Sequence, residues 1–161
     1  MSGNLNREAT RGMRLNFVQH NCRGSNDVFL TLFHVVKGFN VSFICVQDPP
    51  LYAGCPLRAP GYECIFRNDP KVRVATNVSL RVLVGVSFVV IPTSEDVLYL
   101  RVFGKGGCLV GRSIFFGLIN VYNRQVEGSS SVDPKMVFAE TREPTLVVGD
   151  LNVHTAFTDP L

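Results

Sequence analysis

The chain has 161 residues, of which 46% are hydrophobic and 18% charged, so it can bury one core and does not belong to the disordered class. Its formal net charge of +3 permits a polyanionic partner without requiring one. The five cysteines include no Cys-x-x-Cys pair, which argues against a zinc site or a disulfide framework and favours a reducing compartment.

Nothing in the sequence has the character of a membrane or secretion signal. The first sixteen residues are polar and lack the apolar centre of a signal peptide. The longest apolar run, residues 82–92, is too short for a spanning helix and rich in β-branched residues, which predicts a strand. We therefore expect a soluble, intracellular protein with a flexible segment over residues 1–13 and a single domain over residues 14–161.

A strand, a helix and a second strand are predicted at the start of the domain. Residues 15–20 alternate apolar and polar side chains, as in a strand with one covered face. A helix is predicted next, with Asn26 or Asp27 as its N-cap and Gly38 at its C-terminal end. The nearly continuous apolar run at 41–47 is typical of a strand covered on both faces. Together the three elements predict an opening βαβ unit.

The rest of the chain predicts short strands that pair mainly as an antiparallel meander. Residues 48–61 are rich in proline and glycine, which predicts a loop. The strands predicted after this loop lie at residues 63–67, 72–77, 80–91, 97–103 and 113–121. A polar loop at 126–133 leads to a short helix at 134–141, capped by Asp133, and then to a last strand at 145–148. We expect one α+β domain dominated by sheet.

Polar side chains stand at the ends of four of these strands. The four segments are 20–25, 47–48, 122–124 and 149–152. If the strands are coaligned in two packed sheets, these ends meet at one rim. Carboxylates, amides and a phenol together suit a phosphate and a hard divalent cation, because Mg²⁺ binds oxygen ligands and usually takes one or two carboxylates plus water. An Asp beside an Asn can also orient an attacking water.

Four segments in this order, NCRGS, ICVQDPPLY, LINVYN and VVGDLNVH, resemble the endonuclease/exonuclease/phosphatase superfamily. Within it, the chain is most similar to the endonuclease domain of non-LTR (LINE-like) retrotransposons, over residues of about 14 to 159. The resemblance implies a partial four-layer α/β sandwich, in which two packed, mainly antiparallel sheets are flanked by helices. It also implies hydrolysis of phosphodiesters in DNA with Mg²⁺ or Mn²⁺.

The resemblance implies roles for three residues around the phosphate and the metal ion. Asn21 would hold the reactive phosphate region and the water shell of the metal, and Asp48 would bind the metal. Tyr122 would donate a hydrogen bond to a phosphate oxygen in the transition state. Each also has a structural alternative, since Asp48 precedes two prolines as a loop residue does and Tyr122 can be an ordinary strand-end aromatic.

Four further residues receive roles from the same motifs. Asp150 would position or deprotonate the attacking water, and Asn152 would help to orient water and phosphate. His154 and Ser25 would bind substrate, with His154 at the rim near the DNA. As alternatives, Asp and Asn are common turn residues after a strand, and His154 can be structural or simply exposed. Cys22, beside the first motif, is interpreted as a buried thiol.

Two departures from the family pattern bear on activity. The family has Glu where this chain has Asp48, one methylene shorter, so we expect weakened metal binding, relieved by Mn²⁺ or an intervening water. A later Ser-Asp-His motif does not occur in the sequence. We therefore expect a C-terminally truncated domain with impaired turnover and unpaired sheet edges prone to self-association. The alternative is a non-catalytic remnant or interaction module of the same fold.

Overall fold

The structure is a computed structural model that describes residues 14–104, 115–139 and 141–151. Its strands are β1 (Phe17–Asn21), β2 (Phe43–Gln47), β3 (Leu51–Tyr52), β4 (Cys55–Pro56), β5 (Tyr62–Ile65), β6 (Val74–Ser79), β7 (Val86–Ile91), β8 (Val97–Gly104), β9 (Phe115–Tyr122), β10 (Gln125–Val126), β11 (Ser129–Ser130) and β12 (Thr145–Asp150). Its helices are α1 (Asn26–Val36), α2 (Leu80–Leu83) and α3 (Pro134–Ala139). The segment predicted to be flexible, 1–13, lies outside the described residues.

Two four-stranded sheets form the body of the molecule. The first sheet has the order β1-β2-β6-β5 and the second sheet the order β12-β9-β8-β7. β1 pairs with β2 and β12 pairs with β9 in parallel, whereas the remaining pairs within these two sheets are antiparallel. The opening βαβ unit and the α+β class are therefore confirmed, as is the antiparallel meander along β7, β8 and β9.

The alternation of side chains along β2 shows how the layers are built. Phe43 and Cys45 point into the cluster between the two sheets, together with Leu98 and Leu118 of the second sheet. Ile44, on the opposite face, packs against α1 in a separate cluster. A third cluster lies on the outer face of the second sheet and includes a residue of α3. All five residues of β2 are buried, which confirms the predicted strand with two covered faces.

Helix α1 starts one residue earlier than predicted. Ser25 has extended backbone angles, and its side-chain oxygen accepts a hydrogen bond from the Val28 N–H at 3.3 Å, so Ser25 is the N-cap. The prediction of Asn26 or Asp27 as cap is wrong, because both lie inside the helix. Ser25 was a substrate-binding candidate, and the contact that the structure gives its side chain is this cap.

Loss of this cap has a predictable cost. Ser25→Ala is expected to lower the free energy of unfolding by about 1 kcal/mol, because the Val28 N–H loses its acceptor. Ser25→Asp, which restores a capping oxygen at the start of the helix, is expected to unfold close to the unsubstituted chain. Urea unfolding followed by circular dichroism measures both. Equal losses in the two variants would show that the hydroxyl has another role.

The connection between the two sheets also differs from prediction. Residues 80–91 were predicted as one strand, but Leu80–Leu83 form a helical turn and only Val86–Ile91 form β7. The chain leaves β6 in the first sheet and enters β7 in the second, so it has to turn where the apolar pattern alone continues. The predicted loop at 48–61 contains the short hairpin β3–β4, and the predicted loop at 126–133 overlaps the hairpin β10–β11, which begins one residue earlier. In the described part of the chain, no helix is long and apolar enough to cross a membrane.

Candidate active site

Three predicted site residues, Asn21, Tyr122 and Asp150, meet because they lie on the inner faces of the two sheets at the same end. In β1 and β2 the residues with odd numbers face the second sheet, as Phe17 and Phe43 do. In β9 and β12 the residues with even numbers face the first sheet, as Leu118 and Val148 do. Since side chains alternate with a period of two, Asn21 and the last residues of β9 and β12 face the same inter-sheet space.

A direct hydrogen bond joins the two sheets at this rim. The side-chain amide of Asn21 donates from Nδ2 to Oδ2 of Asp150 at 2.8 Å. The Asn21 Oδ1 in turn accepts from the backbone N–H of Arg23 at 3.0 Å, which fixes the orientation of the amide. One oxygen of the Asp150 carboxylate is thus held in place by a neutral donor. The first and fourth motifs, 129 positions apart, are in contact.

Tyr122 lies beside Asp150 at the end of the second sheet. The two residues are register partners in the parallel pair of β9 and β12. Tyr122 is partly buried and packs against the cluster between the sheets. Its backbone N–H donates to the Asp96 carbonyl at 2.8 Å, and the Asn123 N–H donates to the Asp150 carbonyl at 2.8 Å. The backbone therefore holds the phenol and the carboxylate at neighbouring positions.

Asp48 follows β2 directly and has an unusual backbone conformation. Its φ of 44° lies in the left-handed region, which costs a residue with a side chain about 1–2 kcal/mol. The loop after β1 stabilises it, because the Gly24 N–H donates to the Asp48 carbonyl at 2.8 Å. The Asp48 N–H donates to the Arg73 carbonyl at 2.7 Å. The backbone of Asp48 is thereby held beside the end of β1 that bears Asn21.

Arg73 is the member of the rim that the sequence prediction missed. Its Nη1 lies 3.9 Å from Oδ1 of Asp48, and the two side chains are 15% and 29% exposed. The signal in the sequence was an arginine between Val72 and Val74 in a predicted strand. The structure buries both valines. A guanidinium on such a strand has to have an acceptor nearby.

A buried chain of amides lies immediately behind the rim. Gln19 Nε2 donates to Gln47 Oε1 at 2.7 Å, and Gln47 Nε2 donates to Asn120 Oδ1 at 2.6 Å. The amide of Asn120 then reaches the carbonyls of Ala75 at 3.0 Å and Val46 at 3.3 Å. Gln47 and Asn120 have no exposed surface. This network connects both sheets one step below the site residues and fixes their relative position.

Cys22 lies in the loop of the first motif and is fully buried. Burial, and secondarily the negative charge of Asp48, raise the pKa of its thiol to about 11. The thiol is therefore neutral near pH 7, which agrees with the interpretation of a buried, unreactive cysteine. The cysteines that the structure describes, all free, are Cys22, Cys45, Cys55 and Cys64.

Two predicted site residues lie outside the described part of the chain. They are Asn152 and His154, the last polar members of the fourth motif. The described chain ends at Leu151, whose carbonyl accepts from Asn123 Nδ2 at 2.7 Å. The roles given to Asn152 and His154 therefore stay predictions.

The oxygen groups at the rim fit a divalent cation that keeps most of its water. Among the described residues, no group of three or more His, Cys, Asp and Glu side chains is placed to hold a metal ion. Asp48, however, presents a carboxylate that is partly exposed. Mg²⁺ typically retains several waters and needs only one or two carboxylates. The Asp48 carboxylate would serve as the protein ligand of such a hydrated ion, whereas both ends of the Asn21 amide already make hydrogen bonds to other groups.

The fold of the described residues resembles that of a solved non-LTR retrotransposon endonuclease domain. The chain is similar to the solved endonuclease domain of TRAS1, a telomere-specific non-LTR retrotransposon, with a TM-score of 0.60, 13% identity and coverage of 88% of this chain. It spans 61% of the length of that domain. No family model and no curated protein matches the sequence. The similarity confirms the predicted resemblance in fold, and at this identity it says nothing of activity.

Proposed function

We propose that this chain contains the site of a metal-dependent phosphodiester hydrolase that acts on DNA, an endonuclease site of retrotransposon origin. The observation that carries the proposal is the 2.8 Å hydrogen bond between Asn21 and Asp150, which brings the first and last described motifs together across the two sheets. The fold shared with a retrotransposon endonuclease domain supports the same assignment.

In this proposal each side chain acts on one atom of the hydrolysis. Asn21 holds one oxygen of Asp150, so the other oxygen accepts the proton of the attacking water while the water oxygen bonds to phosphorus. The bond from phosphorus to the leaving ester oxygen breaks in the same displacement. The Tyr122 hydroxyl donates to a phosphate oxygen, where negative charge develops. A divalent ion bound at Asp48 supplies further neutralisation of that charge when it is present.

DNA cleavage tests the proposal directly. We expect slow nicking of supercoiled plasmid in Mg²⁺ or Mn²⁺. Nicking should be faster in Mn²⁺, because the shorter side chain of Asp48 distorts the octahedron of ligands and Mg²⁺ tolerates such distortion less well. Asp150→Asn keeps the size of the side chain but removes the base, and is expected to lower the nicking rate by about 100-fold or more. Asp27→Asn, an exposed aspartate in the first turn of α1, is the matched control and should nick normally.

The outcomes separate the proposal from contamination and from its alternative. Nicking that persists at full rate in Asp150→Asn would come from another nuclease and would contradict the proposed site. No nicking by the unsubstituted chain under any metal condition would favour the non-catalytic module. One observation already favours that module, since the carboxylate expected to bind metal lies near Arg73 in the structure.

We further propose that the chain self-associates through the edges of its sheets. Within the described residues, β1 and β12 each pair on one side only, so their free backbone groups are open to another strand. Leu146 on β12 is 38% exposed and adds apolar surface there. Sedimentation is expected to show association that increases with concentration and is weakened by Leu146→Lys, because a charged edge opposes strand pairing. A monomer at all concentrations would contradict this.

A further inference from the structure

Arg73 and Asp48 are held opposite each other by the first sheet itself. The register of β2 and β6 ends with the pair of Gln47 and Val74, and Asp48 and Arg73 are the next residues of the two chains beyond it. The Asp48 N–H donates to the Arg73 carbonyl at 2.7 Å, which fixes both backbones. The proximity of guanidinium and carboxylate is therefore a consequence of the strand pairing, not of two flexible surface side chains that happen to meet.

The ion pair is nevertheless loose. The distance of 3.9 Å between Nη1 of Arg73 and Oδ1 of Asp48 exceeds the 2.7–2.9 Å of a charge-assisted hydrogen bond. The Nε of Arg73 is buried and has no hydrogen-bond partner among the described groups. By comparison, Arg124 contacts both oxygens of Asp96 at 2.8 Å. The carboxylate of Asp48 thus lies near the positive charge of Arg73 without a short hydrogen bond to it.

We propose that Arg73 competes with the divalent cation for Asp48 and thereby sets a low metal affinity at this rim. This inference rests on the proposed function, because it assigns Asp48 as the metal-binding carboxylate. The Arg73 side chain is only 15% exposed and its Nε is buried, which limits how far the guanidinium can move into solvent. A dication that reaches the exposed side of Asp48 has to bind against the repulsion of this fixed charge.

The size of the effect follows from charge and exposure. Two charges about 4 Å apart interact strongly near a protein surface, but partial exposure and salt reduce the net effect well below the simple Coulomb value. Removing the guanidinium charge is expected to tighten divalent binding about tenfold. The gain should shrink as salt is added, since added ions screen the same repulsion.

Metal binding by the full chain, without any DNA, tests this. The binding of Mn²⁺ is measured from its effect on the relaxation of water protons, for the unsubstituted chain, for Arg73→Met and for Arg73→Lys. We expect about tenfold tighter binding for Arg73→Met, and affinity close to the original for Arg73→Lys, which keeps the charge. Arg67→Met is the matched control, because Arg67 forms an ion pair with a different carboxylate, that of Asp69, at an N–O distance of 3.4 Å.

Asp48→Asn, made alone and together with Arg73→Met, separates the inference from the proposed site. Binding that depends on Asp48 but is not tightened by Arg73→Met would overturn the competition and leave the site standing. Equal tightening by Arg67→Met would overturn it too, since general loss of positive charge would then be the cause. Binding unaffected by Asp48→Asn in both backgrounds would remove the metal site and the inference with it. Circular dichroism of each variant confirms that it is folded, and Arg73→Gln replaces Arg73→Met if the latter is not.

Discussion

Gly149→Ala is expected to lower the free energy of unfolding by about 3 kcal/mol or more, through backbone strain and a steric clash together. Gly149 has a φ of +143°, which residues with a side chain rarely adopt. A Cβ at this position would lie 2.0 Å from the carbonyl oxygen of Val121 in β9. Backbone cannot yield as a flexible side chain can, so β12 has to shift and carry Asp150 away from Asn21.

Gly128→Ala is the control for this prediction. Gly128 also has a positive φ, of +79°, but a Cβ there would meet nothing within 4 Å. Gly128→Ala should therefore lower the free energy of unfolding by only about 1 kcal/mol, the part that comes from the backbone conformation. Chemical unfolding followed by circular dichroism is suited to the comparison, because the chain contains no tryptophan. Equal losses of unfolding free energy at the two positions would show that Gly149 is not required for the close approach of β12 to β9.

Asn120→Leu is expected to destabilise the fold by about 3 kcal/mol, although the new side chain has a similar volume. The substitution removes the acceptor of the Gln47 amide and the donor to two backbone carbonyls, all in a site with no solvent. The Gln47 amide and the two carbonyls then stay buried without this hydrogen-bond partner, so the cost of removing them from water is no longer offset. Because this network links the sheets below the rim, the variant should also bind Mn²⁺ more weakly.

Asn77→Leu offers a matched comparison for the amide network. Asn77 is also buried, but its Nδ2 has no partner among the described residues and its Oδ1 accepts one long bond, 3.5 Å, from Ala59. We expect a loss of less than about 1.5 kcal/mol at this position. In a double-mutant cycle, Gln47→Leu and Asn120→Leu should show a coupling of about 1 kcal/mol or more. Additive losses would mean that the two amides do not act as one unit.

Much of the fold followed from patterns that local chemistry determines. The nearly continuous apolar run at 41–47 predicted a strand covered on both faces, and α1 packs on one face while the second sheet covers the other. The elements that were predicted wrongly are those whose conformation depends on how the chain connects one layer to the next. The apolar run through Leu80–Leu83 favours a strand, but the chain changes sheets there and forms a helical turn instead.

The site was predictable in part for a similar reason. Strand-end polar residues and the alternation of side chains were enough to place Asn21, Tyr122 and Asp150 at one rim, because both are properties of single strands. Arg73 and Asn120 were missed, since their roles depend on which strands become neighbours and in what register. An Arg or Asn in a buried strand signals a required partner, but the sequence alone does not say which one.

Selective broadening of backbone amide signals by traces of Mn²⁺ tests the central claim most directly. The claim is that one rim, formed by Asn21, Asp48, Tyr122 and Asp150, is where a hydrated dication approaches the chain. In a nitrogen-15 correlation spectrum, the amides of these four residues should broaden first, and Asp48→Asn should abolish the effect. Broadening centred on Glu95 and Asp96, or spread evenly over the acidic surface, would contradict the account.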